Sequence, residues 1–158
     1  MRAVFLAAVV LAGGLTAADK NPIDRLVALK APESAEEKKD DPAEVKAAKK
    51  IMRAELRRVD LIDQRIRAGS FTGGAAYLQL TAALNGVINA AVDAFPEPKE
   101  QLPWFEYRLE VAEAAVKFNQ PRVEQGVEEP QLLPQLEADV ARAELALLKL
   151  KKKIKEAK

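Results

Sequence analysis

Cysteine and histidine are both missing from this 158-residue chain. Without cysteine there is no disulfide, no thiolate nucleophile and no zinc–thiolate site. Without histidine the commonest general base is gone, and with it the Ser-His-Asp triad and most transition-metal sites. Serine occurs only at Ser34 and Ser70, and Ser70 reads as a turn or helix-capping hydroxyl. The carboxylate pairs Glu36/Glu37, Asp40/Asp41 and Glu128/Glu129 sit in polar segments, not in the apolar pocket that an acid–base hydrolase needs. Gly73-Gly74 lacks the strand before it and the Lys-Ser/Thr after it that make a phosphate loop, and calcium-loop spacing is absent. A net charge of +1 gives no electrostatic case for nucleic acid. The chain reads as non-catalytic, with no cofactor, no metal and no small-molecule substrate evident.

Aromatic residues make up only 5%, so alanine, leucine and valine must fill the core. With abundant lysine and glutamate, that composition favours helices. Charge is also missing locally. From Ala68 through Val92 there are 25 consecutive uncharged residues, where the chain's 31% average would place about eight charges. A helix with no charged face is usually covered on more than one side. The cover is either the rest of the chain, a second copy, another protein or lipid.

The N-terminus has the form of an export signal: Arg2, a thirteen-residue apolar run from Ala3 to Leu15, then small residues at Thr16-Ala17-Ala18 before Asp19. The expected organisation is a signal over 1–18, either cleaved or kept as an N-terminal anchor, a flexible charged lead over 19–41 and a helical domain over 42–158. Export places the protein in the periplasm or cell envelope of a bacterium, or in the medium.

Within the helical domain, Asp41 as N-cap, Pro42 at the first position and Glu44 in a capping box predict a helix start. Val45, Ala48, Met52, Leu56, Val59, Ile62 and Ile66 form its apolar stripe. Lys46, Lys49, Lys50, Arg53, Arg57 and Arg58 take the opposite side, and Gly69 ends the helix. The second helix is expected from about Thr72–Gly74 to Ala94 or Phe95. Tyr77, Leu80, Leu84, Val87, Ile88, Ala91 and Phe95 line one stripe, and Ala82, Gly86 and Ala90 make a small-residue stripe that would admit a close neighbour. Asn85 and Asn89 read as hydrogen-bonding groups. The third helix is expected at or after Pro103, with Phe105, Leu109, Ala112, Val116 and Val123 on one face; Pro121 should kink or end it. The Trp104, Phe105 and Tyr107 group beside Pro103 reads as a core plug or a ligand platform. Gly126 marks the next turn. The last helix is expected to begin between Pro130 and Pro134. Its seam is Leu133, Leu136, Val140, Ala143, Leu147, Leu150 and Ile154, widened by Ala141, Leu145 and Leu148. Lysines crowd its end, complementing the helix dipole.

The result is two helical hairpins, about 42–95 and 103–157, whose turn glycines Gly69 and Gly126 lie 57 residues apart. The first hairpin resembles the repeating unit of the TolC-like outer membrane efflux proteins. The resemblance is carried by the turn RIRAGSFT at 65–72, its weaker echo RVEQGVEE at 122–129, and the closing ADVARAELALLKLKK. It implies elongated hairpins, a trimer-like assembly and an accessory role in transport, without implying channel activity, since no barrel strands accompany the helices.

The fold class expected is all-α: antiparallel helical hairpins forming a four-helix bundle or an elongated coiled-coil-like bundle. The function expected is that of a non-catalytic exported interaction or scaffold module. Its partner would be another protein or a second copy, held by burial of Leu80, Leu84, Gly86, Val87, Ile88, Ala90 and Ala91. Two further readings stay open: a shortened efflux accessory, and a binder of anionic cell-envelope surfaces through the Lys-rich C-terminal helix.

Overall fold

Four helices account for nearly all of the backbone that this computed structural model describes, residues 36–68 and 74–157. The expected signal, the lead through residue 35, the turn at 69–73 and Lys158 lie outside the described residues. The helices are α1 (Ala43–Arg67), α2 (Gly74–Ala94), α3 (Pro98–Glu124) and α4 (Leu132–Glu156). The chain is an all-α bundle: α1 packs along α2, α3 along α4, and α2 joins the hairpins by packing on α3.

In α1 the expected apolar stripe faces inward: Ala48, Met52, Val59 and Ile62 are buried, with Leu56 and Ile66 packed at its margin. Two details differ. Pro42 is the N-cap and makes no side-chain cap bond. The Asp41 carboxylate turns the other way, accepting from the Lys38 N–H (2.8 Å) and from Lys49 Nζ (2.7 Å). Lys49, expected among the solvated cations, is buried at 4% exposure. Its stem runs inward, Nζ lies 6.0 Å from the Phe95 ring centroid, and Asp41 neutralises it. The lead is therefore not free over its last residues. Lys46 Nζ donates to the Lys39 carbonyl (2.8 Å) and Arg53 pairs with Glu37, so residues 37–41 double back along α1.

The inner stripe of α2 is as expected: Tyr77, Leu80, Leu84, Val87, Ile88, Ala91 and Phe95 are all buried. Small residues widen the buried arc, but they are Ala76, Ala83, Ala90 and Ala94; Ala82 is exposed and Gly86 half-buried. The start of α2 also abuts α4, where a β-carbon on Gly74 would lie 2.9 Å from Leu132 Cδ1.

The third helix starts five residues earlier than Pro103, at Pro98, which occupies the first-turn position that proline suits. Pro103 falls just after the first turn with its ring exposed, so it removes a single ladder bond and leaves the helix intact. Pro121 does not end the helix either. The backbone continues to Glu124, the Gln125 N–H reaches the Pro121 carbonyl (3.0 Å), and Gly126 at φ 71° makes the turn. The buried face of α3 is Gln101, Trp104, Phe105, Val111, Ala115 and Asn119, which rotates the expected face and brings polar residues inward. Trp104 stacks on Phe95 (centroids 6.2 Å, planes 13° apart) inside the main core. Gln101 Nε2 donates to the Phe95 carbonyl (2.6 Å) and closes the corner between α2 and α3.

In α4, Leu136, Ala143, Leu147 and Leu150 are buried as expected. The stripe widens toward Leu132, Asp139 and Ala146, not toward Ala141, Leu145 and Leu148, which are exposed. A helix resting against α2 and α3 buries what faces them, and the leucines on the far side have nothing to pack on.

Candidate functional site: the outer face of α2 and the polar cleft beneath it

Of the residues expected to carry an interaction, Leu80, Leu84, Val87, Ile88, Ala90 and Ala91 lie in the main core, where α1 and α3 already cover them. Gly86 faces α1. A β-carbon there would sit 2.8 Å from both Cγ and Cδ of Glu55, so the glycine makes room for that side chain.

Burial explains only part of the charge-free run. The outward line of α2 consists of Ala75, Leu78, Gln79, Ala82, Asn89 and Val92, all exposed and all uncharged. A solvated helix face normally carries charges. The residues of α2 itself are neutral from Ala75 to Val92, with the Glu55 side chain of α1 lying over Gly86 between Ala82 and Asn89 and Asp93 closing the line, while the outer surface of α1 holds Lys50, Arg57 and Arg58. By length and apolarity α2 passes as a membrane span (21 residues, mean hydropathy 1.2), yet half of that window is buried inside the bundle. Core helices of globular bundles pass the same test.

Below this face, α2, α3 and α4 enclose a small cleft lined by Tyr77, Thr81, Leu84, Arg108, Val111 and Asp139 among others. Its space, about 10 Å³, is that of a single water molecule. Asn85, one of the two asparagines read as hydrogen-bonding groups, accepts from Arg108 Nε at 2.7 Å. Burial lowers the Arg108 pKa from its ordinary value, and the nearby Asp139 carboxylate opposes that shift. Asp139 also accepts from Arg142 Nη1 at 2.8 Å. Arg108 thus ties α3 to α2 through Asn85, while Asp139 of α4 is held by Arg142 one turn along its own helix and acts on Arg108 only through its charge. Pattern reading missed it because Arg108 and Asp139 interrupt the apolar stripes.

A second polar group closes the far end of the bundle. The Tyr77 ring tilts against Phe118 (5.7 Å), Arg122 lies 5.4 Å from the Phe118 ring centroid, and Arg122 Nη2 donates to Glu128 (2.9 Å). Asn119, at 0% exposure, donates to the Ala115 carbonyl (2.8 Å). The Tyr77 hydroxyl lies close enough to Asn119 to feel it electrostatically, but no hydrogen bond of good geometry forms, and burial raises the phenol's pKa. Among the described residues, no group of three or more acidic, histidine or cysteine side chains gathers as a metal site.

Comparison with protein-family profiles, curated sequences and solved structures returns no match to this chain.

Proposed function

We propose that the chain is a non-catalytic helical interaction module of the cell envelope, which associates with a second copy of itself through the outer face of α2. The observation that carries this reading is the exposed, uncharged line from Ala75 to Val92. Two identical charged faces brought together would oppose like charge to like charge; a neutral face is compatible with its own copy and suits an isologous contact. Its small residues, Ala75 and Ala82, leave room for close approach, with Leu78 and Val92 supplying the apolar contact. Export rests on the N-terminal segment Met1–Ala18 as a sequence feature. Pairing of the helices into two hairpins favours the efflux-accessory reading as the second choice.

Because the chain has no cysteine, single-cysteine cross-linking gives a direct test. Oxidation of Leu78→Cys and Ala82→Cys variants should trap a dimer, while Val127→Cys, exposed outside α2, should not. A trimer in light scattering would favour the efflux-accessory reading instead. Monomer throughout, or equal cross-linking at Val127→Cys, sinks the self-association reading.

A further inference from the structure

We infer that the outward face of α4's C-terminal half is a docking surface for an anionic lipid headgroup layer. The inference concerns a different helix from the α2 contact and does not depend on it. Leu145 and Leu148 are 53% and 64% exposed, on the side of α4 directed away from the bundle. Ala141, Leu145, Leu148, Lys152 and Lys155 follow spacings of four, three, four and three, which places them along one helix face. Lys149 flanks that line, as do the exposed Glu144 and Glu156. Residues 144–157 hold five lysines against two glutamates, in a chain whose net charge is only +1. Lys151 reaches Glu106 (3.2 Å) and Lys152 reaches Glu156 (3.7 Å), but Lys149, Lys153 and Lys155 have no ion partner among the described residues.

Charge complementarity and residue choice together select lipid over protein. Protein interfaces are depleted in lysine and enriched in arginine and aromatic rings, which supply planar, bidentate contacts. This surface has neither arginine nor aromatic residues after Arg142. Lysine is a strongly hydrated point charge on a long apolar stem. Such groups suit a diffuse, wet layer of phosphates, where each contributes through the surface potential without needing one fixed partner. Two leucines between the lysines provide the shallow apolar insertion that interfacial helices use.

The test uses the full chain with an environment-sensitive fluorophore on Leu148→Cys, added to vesicles of phosphatidylglycerol in phosphatidylcholine. Emission should shift to the blue on these vesicles and stay unshifted on phosphatidylcholine alone. Replacing Lys149, Lys152 and Lys155 with glutamine should weaken vesicle binding about 100-fold, or about fivefold for each lysine. Leu145→Ala should weaken it about tenfold at partial insertion. All four positions are exposed, so helix content by circular dichroism should be unchanged. The same label at Val127→Cys should remain in water. The inference is overturned by an equal shift on neutral vesicles or at Val127→Cys, by indifference to either set of substitutions, or by absence of binding. It is also overturned if polyglutamate produces the same blue shift, since that would mark a surface for acidic polypeptides.

Discussion

Gly86 offers the sharpest test of how α1 and α2 fit. Replacing glycine with alanine inside a helix normally stabilises by about 0.8–1 kcal/mol through backbone entropy. Here the added methyl would meet Glu55 Cγ and Cδ at 2.8 Å, well inside van der Waals contact. Glu55 must then leave its position. Its side chain is 26% exposed, so an outward rotamer is open to it. The move gives up a loose contact with Arg58 (3.5 Å), an exposed i,i+3 pair of about 0.3 kcal/mol, and half-covered stem area of about 0.5 kcal/mol. Gly86→Ala alone should therefore change stability by less than about 0.5 kcal/mol. In a Glu55→Ala background the obstruction is gone, and Gly86→Ala should show the full gain of about 0.8–1 kcal/mol. At about 3–5 °C per kcal/mol, thermal melts of the four members of this cycle should show Gly86→Ala raising Tm by about 3–5 °C in the Glu55→Ala background and by under about 2 °C in the parent. If Gly86→Ala has the same effect in both backgrounds, the contact with Glu55 does not set the spacing of α1 and α2. Gly86→Leu, which no rotation of Glu55 can accommodate, should cost about 1–3 kcal/mol in the parent.

Three further outcomes follow from buried polar groups. The chain has two tyrosines, so an absorbance titration at 295 nm reports both. Burial, with a smaller contribution from the Asp63 carboxylate, pushes Tyr107 up to about 12, and burial raises Tyr77 as well. Because the fold favours the neutral phenol, this stabilisation is complete below the unfolded value near 10 and is lost as pH rises through about 12; phenolate signal at its ordinary pH with the helices still intact contradicts the burial. Asn119→Leu should stay within about 1 kcal/mol of the parent, because it removes one hydrogen bond together with an oxygen that has no partner, whereas Asn119→Asp should cost at least about 2 kcal/mol at neutral pH. Urea melts giving the reverse order would refute that account. Asp41 is held below its ordinary pKa by hydrogen bonds from Lys49 and the Lys38 N–H. Its contribution is present above the unfolded value and lost as pH falls through the lower folded one, so Asp41→Asn or acid should raise hydrogen exchange over 37–41 while the core amides stay protected.

The helix number, the turn at Gly126 and the whole inner stripe of α2 were legible because apolar residues recur there without interruption. The polar interior was not. Lys49, Asp63, Gln101, Asn119 and Asp139 are buried, and a reading based on hydrophobic periodicity sends such residues outward. Lys49 reaches back past the helix start to Asp41, and Gln101 meets the Phe95 carbonyl across the α2–α3 corner; both pairings depend on how the chain turns, which spacing within one helix does not contain. Asn119 with the Ala115 carbonyl and Asp139 with Arg142 pair inside their own helices, so there it was the inward direction, not the partner, that spacing left out. Prolines misled for a related reason. Pro103 and Pro121 break a helix in its middle but are tolerated near its ends, and the pattern alone does not say where the ends lie. For the proposed interaction, the stretch without charge was visible at once, but only the structure separates its buried line from its exposed one.

The doubled-back lead gives the molecule a mechanical property. Residues 37–41 are fastened to α1 by side chains alone: Glu37 to Arg53, the Lys39 carbonyl to Lys46, and Asp41 to Lys49. Tension applied through the upstream chain meets these fasteners in that order, one after another, before it reaches any hydrophobic contact. Their release pays out roughly 17 Å of extended chain over these five residues. Residues 37–41 thus act as a short extensible strap, which gives way in steps under load while the bundle behind it stays whole.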